Sequence, residues 1–91
     1  MNKESIVHLL KNLDVSELSG EKVMIDFETG YYFLLHGSAN EVWDIISKTD
    51  ARLDDIVNNL MKIYNVDYDT CYASVEKFIK ELAENELVQI L

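Results

Sequence analysis

The sequence predicts an α+β fold: a small three-stranded antiparallel sheet followed by three helices, a winged helix-turn-helix-like arrangement. Three observations predict it. Apolar and polar residues alternate from Lys22 to Phe27, and a glycine-bearing turn, Glu28-Thr29-Gly30, parts that run from an aromatic one. Beyond Gly37 the apolar spacing changes from two to three and four.

In chain order, Ile6-Val7-His8-Leu9-Leu10 reads as a first strand, although Leu9, Leu10 and Leu13 also fit one helical turn. Asn12 to Glu21 is polar, contains Gly20 and reads as a connection. Val23, Ile25 and Phe27 then alternate with Lys22, Met24 and Asp26, the period of a half-buried strand. Gly30 is free to adopt positive φ in the turn that follows. Tyr31-Tyr32-Phe33-Leu34-Leu35 completes a hairpin, because aromatic and large apolar residues favour a pleated surface. Ser38 and Glu41 fit a capping box for a first helix ending near Lys48, with Ala39, Val42, Trp43 and Ile46 on one face. A second helix is expected from about Arg52 to Tyr64, carrying Leu53, Ile56, Val57, Leu60 and Met61. A third runs from about Asp69 to Glu84 with Cys71, Val75, Phe78, Ile79 and Leu82 in register, capped by Asp67 or Asp69 and ended by Asn85. Leu87 to Leu91 is an apolar segment that must pack back on the body.

Ninety-one residues, 48% apolar and 27% charged, suit one globular domain spanning 1–91. There is no proline, and a lone cysteine, Cys71, excludes an internal disulfide or a cysteine-based metal site. That usage fits a reducing cytoplasmic setting. No apolar run approaches the roughly 20 residues that span a bilayer, and the first residues lack the design of a secretion signal. Seventeen acids against eight bases leave a formal charge of −9, a poor match for DNA or RNA.

The residues offer little to catalysis. His8, His36 and Cys71 are the sole histidines and thiol, and Cys71 falls on the apolar face of the third helix, where a small buried hydrophobe suffices. Two histidines with scattered carboxylates make no zinc signature. Asp54-Asp55 opens a helix, where carboxylates favour the dipole. There is no glycine-rich phosphate cradle. No enzyme activity, cofactor or metal is therefore expected. A DNA-reading helix needs a basic or amide-rich face. Arg52, Asn58, Asn59 and Lys62 share the second helix with Asp54 and Asp55, and Lys77 and Lys80 lie among Glu76, Glu81, Glu84 and Glu86. Neither face is a basic stripe, so a module that binds protein or peptide is the first reading and a winged-helix DNA-binding regulator the runner-up. Within Tyr31–Leu35, Tyr32 and Leu34 point away from Tyr31, Phe33 and Leu35. Either both faces are covered within the domain, or the strand is an open edge that accepts a peptide by strand addition.

The stretch from Asp26 to Leu35, with Gly30 at the turn and Val42-Trp43 on the next helix, resembles the PqqD-like family. The likeness extends through Leu53-Asp54-Asp55-Ile56-Val57-Asn58-Asn59-Leu60 and Tyr64 to Val75, Phe78, Leu82 and Leu87-Val88, roughly residues 20 to 91. The sequence departs from the family pattern at His36, Ala39, Arg52 and Asn85, substitutions that weaken local caps more than the fold. These proteins are recognition elements for precursor peptides that are made on the ribosome and then modified. The resemblance implies that a precursor's leader adds as a β-strand between the third strand and the third helix, and that the modifying enzyme is thereby brought to its substrate. Carried over by position, one wall of the groove would be Tyr31, Tyr32, Phe33 and Leu34, and the other Tyr72, Val75, Lys77, Phe78 and Ile79. A separate chain of this size looks most like the standalone recognition proteins of lasso-peptide pathways, partnered by a leader peptidase. Its close relative is the peptide chaperone of a radical SAM enzyme in cofactor PQQ synthesis.

Overall fold

In the computed structural model, which describes residues 1–91, the chain enters the core with β1 (Ile6–Leu9), where Val7 is fully buried. β2 (Val15–Leu18), β3 (Glu21–Ile25) and β4 (Tyr32–Leu35) follow, then α1 (Ala39–Lys48), β5 (Ala51–Arg52), α2 (Leu53–Met61), α3 (Tyr68–Glu84) and β6 (Val88–Ile90). The α+β class stands, and the helix bounds lie within three residues of those expected. The sheet is corrected: there are two, each of three strands, ordered β2-β3-β4 and β5-β1-β6, and all pairings are antiparallel. The first strand pairs with β5 and with the terminal β6, and takes no part in the hairpin sheet.

β2 occupies the segment expected to be a connection. Ser19 and Gly20 have φ of 53° and 83°, so two consecutive left-handed residues join β2 to β3, the signature of a tight type I′ hairpin. All four β2 side chains are exposed, which removes the alternation that would betray the strand. On the hairpin, Phe33 and Leu35 face the helices while Tyr32 and Leu34 face outward. The β3 residue that joins the main core is Met24, paired with Phe33; Val23 is buried on the opposite face outside that core, and Phe27 is 82% exposed on the turn.

The helices form one apolar body in which Trp43, Ile46, Leu60, Cys71 and Leu82 are buried together. Their ends are secured differently from the sequence expectation. Ser38 lies in the right-handed helical region and makes no side-chain cap, so the Ser38–Glu41 box does not form. The Glu41 carboxylate instead accepts the Tyr64 hydroxyl at 2.9 Å, and the Asn40 side-chain amide donates to the Leu35 carbonyl at 3.1 Å. These two bonds tie the start of α1 to the segment that follows α2 and to β4. α2 has no side-chain cap either; its Leu53 and Asp54 amides donate to the carbonyls of Ser5 and Lys3, so the N-terminal segment satisfies it. At α3, Asp67 accepts both the Thr70 amide (3.1 Å) and its hydroxyl (2.7 Å), the cap foreseen.

The end of α3 carries a mismatch between residue and conformation. The Leu87 amide donates to the Leu82 carbonyl (2.9 Å) and the Glu86 amide to that of Ala83 (3.1 Å), a Schellman arrangement. Asn85, expected to be left-handed, has φ −96°, and the left-handed residue is Glu86 at φ 60°. A side chain there costs roughly 1–2 kcal/mol, and its negative charge opposes the helix dipole. Glu86→Gly should raise stability by about 1 kcal/mol, seen as a rise in melting temperature of about 4–8 °C. Glu86→Gln should recover only the smaller, charge-dependent part.

Candidate functional site

β3 and β4 pair in a register that sets which backbone groups are free. The Asp26 amide donates to the Tyr31 carbonyl at 2.8 Å, and Met24 and Lys22 lie opposite Phe33 and Leu35. Antiparallel hydrogen bonding alternates along a strand. Tyr31, Phe33 and Leu35 therefore bond inward to β3, and the N–H and C=O of Tyr32 and Leu34 point to the free edge. β4 ends the sheet on that side, and its residues carry no charge.

Across from this edge lies α3, which packs closely on α2 and β6 but not on β4. The gap is a cleft of about 480 Å³ lined by Gly30, Tyr31, Tyr32, Phe33, Leu34 and Glu81. Farther along the same flank of α3 is a second cavity, about 340 Å³, with Leu60, Tyr64, Val66 and Cys71 as its apolar lining and Ser38, Asn65 and Ser74 at its polar positions. Burial pushes the Cys71 thiol above its ordinary pKa, so it is a protonated, apolar wall element.

The structure brings together only part of the predicted set. Tyr31, Tyr32, Phe33 and Leu34 all line the first cleft. On α3, residues spaced by three and four share a flank, which places Phe78 between Ser74 and Glu81, with exposed Lys77 one turn before Glu81. Phe78 is half-buried against the core. Val75 and Ile79 are corrected: at 1% and 0% exposure they belong to the core and support the groove from beneath. Tyr72 is corrected too. It stacks on Tyr68 with ring centroids 6.1 Å apart, and the Tyr68 hydroxyl donates to Asp54 of α2 at 2.6 Å, so Tyr72 lies on the flank of α3 away from β4. That bond pushes the Tyr68 phenol up to about 12. Glu81 and Ser74 escaped the sequence reading; their offsets from Phe78, three ahead and four behind, are the signal that finds them.

Asp26 holds the hairpin in place. Its side chain is buried, receives the Lys11 ammonium on both oxygens (2.8 and 2.9 Å) and accepts the Glu28 amide at 3.0 Å. Lys11 also reaches Glu28 at 3.2 Å. The Lys11 hydrogen bond, against the opposing effect of burial, holds the Asp26 carboxyl below the usual aspartate range, and the same bond raises Lys11.

A family model described as "Coenzyme PQQ synthesis protein D (PqqD)" matches residues 21–88. Among solved structures, the chain is similar to TbiB1, whose structure is described as a complex with the TbiA(beta) leader peptide. The TM-score is 0.73 at 24% identity, covering 90% of this chain and 94% of that one, and the two share a fold. No curated protein matches significantly.

A depressed carboxylate stabilises above its unfolded pKa, and the contribution is lost as pH falls through the folded value. A raised lysine contributes below its unfolded pKa and loses that contribution as pH rises through its folded value. Asp26→Asn should lower the urea midpoint at pH 7, and the gap to the parent should close as pH falls from about 5 toward 2. Lys11→Met should reproduce much of the loss, and the double variant should fall short of the sum of the singles.

Proposed function

The chain belongs to the PqqD family, and we propose that it is a non-enzymatic adaptor that binds the leader of a ribosomally made precursor peptide. The observation that carries this reading is the free edge of β4, uncharged and facing the cleft beside α3. A leader segment adds as a further strand there, pairing its backbone with the outward N–H and C=O groups of Tyr32 and Leu34. Its alternate side chains point into the cleft or lie beside the outward rings and methyls of the sheet. Tyr31, Tyr32, Phe33 and Leu34 form the strand wall, and Phe78 and Lys77 belong to the helix wall.

The protein holds the peptide and a partner enzyme performs the modification. A lasso-peptide pathway, with a leader peptidase as partner, is the setting we favour, and a radical SAM maturase of the PQQ type is the other member of the same class. The TbiB1 structure, solved with a leader peptide, supports peptide binding on this fold.

Backbone pairing supplies most of the affinity in this arrangement. Proline removes an amide donor and disrupts a ladder, so proline placed singly through the bound stretch of the leader should weaken binding most where the residue faces Tyr32 or Leu34. Isothermal titration of the proline series measures this, and a flat series would remove strand addition as the mode. Tyr32→Ala and Lys77→Ala should lose affinity by about 1–2 kcal/mol with little change in melting. Trp43→Ala should instead lose about 3–5 kcal/mol of stability.

A further inference from the structure

The last turn of α3 is arranged against its own dipole. The C-terminal end of a helix carries partial negative charge and favours cations, yet the last turn holds no basic residue and ends in Glu81 and Glu84, with Glu86 just beyond. Of these, Glu81 lines the β4 cleft. Its carboxylate has no ion-pair partner: Lys80 pairs with Glu76, and Lys77, one turn back, does not reach it. Three aromatic residues of the strand line the same cleft, Tyr31 and the buried Phe33 on one face of β4 and Tyr32 on the other. Tyr31 and Phe33 pack with centroids 4.8 Å apart at 59°, and Tyr31 and Tyr32 are 43% and 63% exposed.

An unpaired carboxylate, the negative end of a helix and exposed aromatic faces around one cleft are complementary to a cation on a long apolar stem. The carboxylate supplies a charge-assisted hydrogen bond, the rings attract the charge through their quadrupoles, and the walls bury the methylenes. The second cavity on the same flank, lined by Leu60, Val66 and Cys71, offers no charge to a ligand. We propose that the β4–α3 cleft selects peptides with a lysine or arginine whose side chain inserts between Tyr31 and Glu81, so that this position sets leader specificity. The proposal rests on strand addition at β4 and adds the chemistry of one side chain to it. Glu81 is exposed and makes no side-chain bond to the rest of the fold, so its replacement leaves the domain intact.

The test uses ten-residue synthetic strand peptides of alternating valine and threonine carrying one central lysine, glutamine or glutamate. They are titrated by fluorescence anisotropy against the full chain and its Glu81→Gln, Glu81→Lys and Glu84→Gln variants. The parent should prefer the lysine peptide over the glutamate peptide by about tenfold, the scale of one charge-assisted hydrogen bond. Glu81→Gln should shrink that preference to about twofold and Glu81→Lys should invert it. Glu84→Gln, the same change in net charge outside the cleft, should leave it in place. A preference unchanged in Glu81→Gln, or lost equally in Glu84→Gln, overturns the inference in favour of the general negative field. Equal binding of all three peptides overturns it while strand addition survives. If no peptide binds the parent, the glutamine one included, strand addition fails and the inference with it.

Discussion

The Asp26 carboxylate fixes the geometry on which the remaining structure depends. It is the one polar side chain buried in the domain, and an unpaired charge there would be costly, so Lys11 and the Glu28 amide are drawn to it. Two consequences follow from that requirement. Lys11 belongs to the segment leaving β1, so the ion pair links the β5-β1-β6 sheet to the hairpin sheet, which share no strand. Asp26 also shapes the β3–β4 turn through its own backbone, accepting the Gly30 amide and donating to Tyr31. The turn sets the register, and the register decides that Tyr32 and Leu34, and not Phe33, present their backbone to the open edge.

An uncharged edge strand is a hazard that soluble proteins usually blunt with charge, proline or a covering element. β4 carries none of these. The −9 charge on 91 residues offers an alternative route to solubility, since like-charged copies repel before their edges meet. The same charge favours basic partners.

α3 divides its labour by flank. One side, with Cys71, Val75, Ile79 and Leu82, closes the core. A second, with Tyr68 and Tyr72, locks onto α2 through the Asp54 hydrogen bond. The third carries Glu81 at the β4 cleft, Ser74 at the second cavity and the half-buried Phe78 between them along the helix. The helix stands apart from β4 because it is held by α2 on one side and by β6, reached through the Schellman turn at Glu86, on the other. The groove is therefore the space left between two well-anchored walls, and its width follows from core packing more than from any residue inside it.

By itself the sequence determined the helices, the β3–β4 hairpin and the buried Trp43, Leu60 and Cys71, and it narrowed the cap of α3 to Asp67 or Asp69. Each is local, because hydrophobic periodicity, turn glycines and cap residues act within a few positions of one another. Tertiary structure alone decided the rest. β2 carries no apolar alternation, since both its faces meet solvent, and it forms because Ser19-Gly20 turns it onto β3. The Lys11–Asp26 pair spans fifteen residues, and no local pattern joins its ends. Glu41 and Asn85 show local preference overridden: Tyr64 claims the Glu41 carboxylate, and the path into β6 moves the left-handed turn to Glu86. Which α3 residues face the groove was beyond the sequence for the same reason. Periodicity groups residues on one side of a helix, but the rotation of that helix against β4 is fixed by where α2 and β6 hold it.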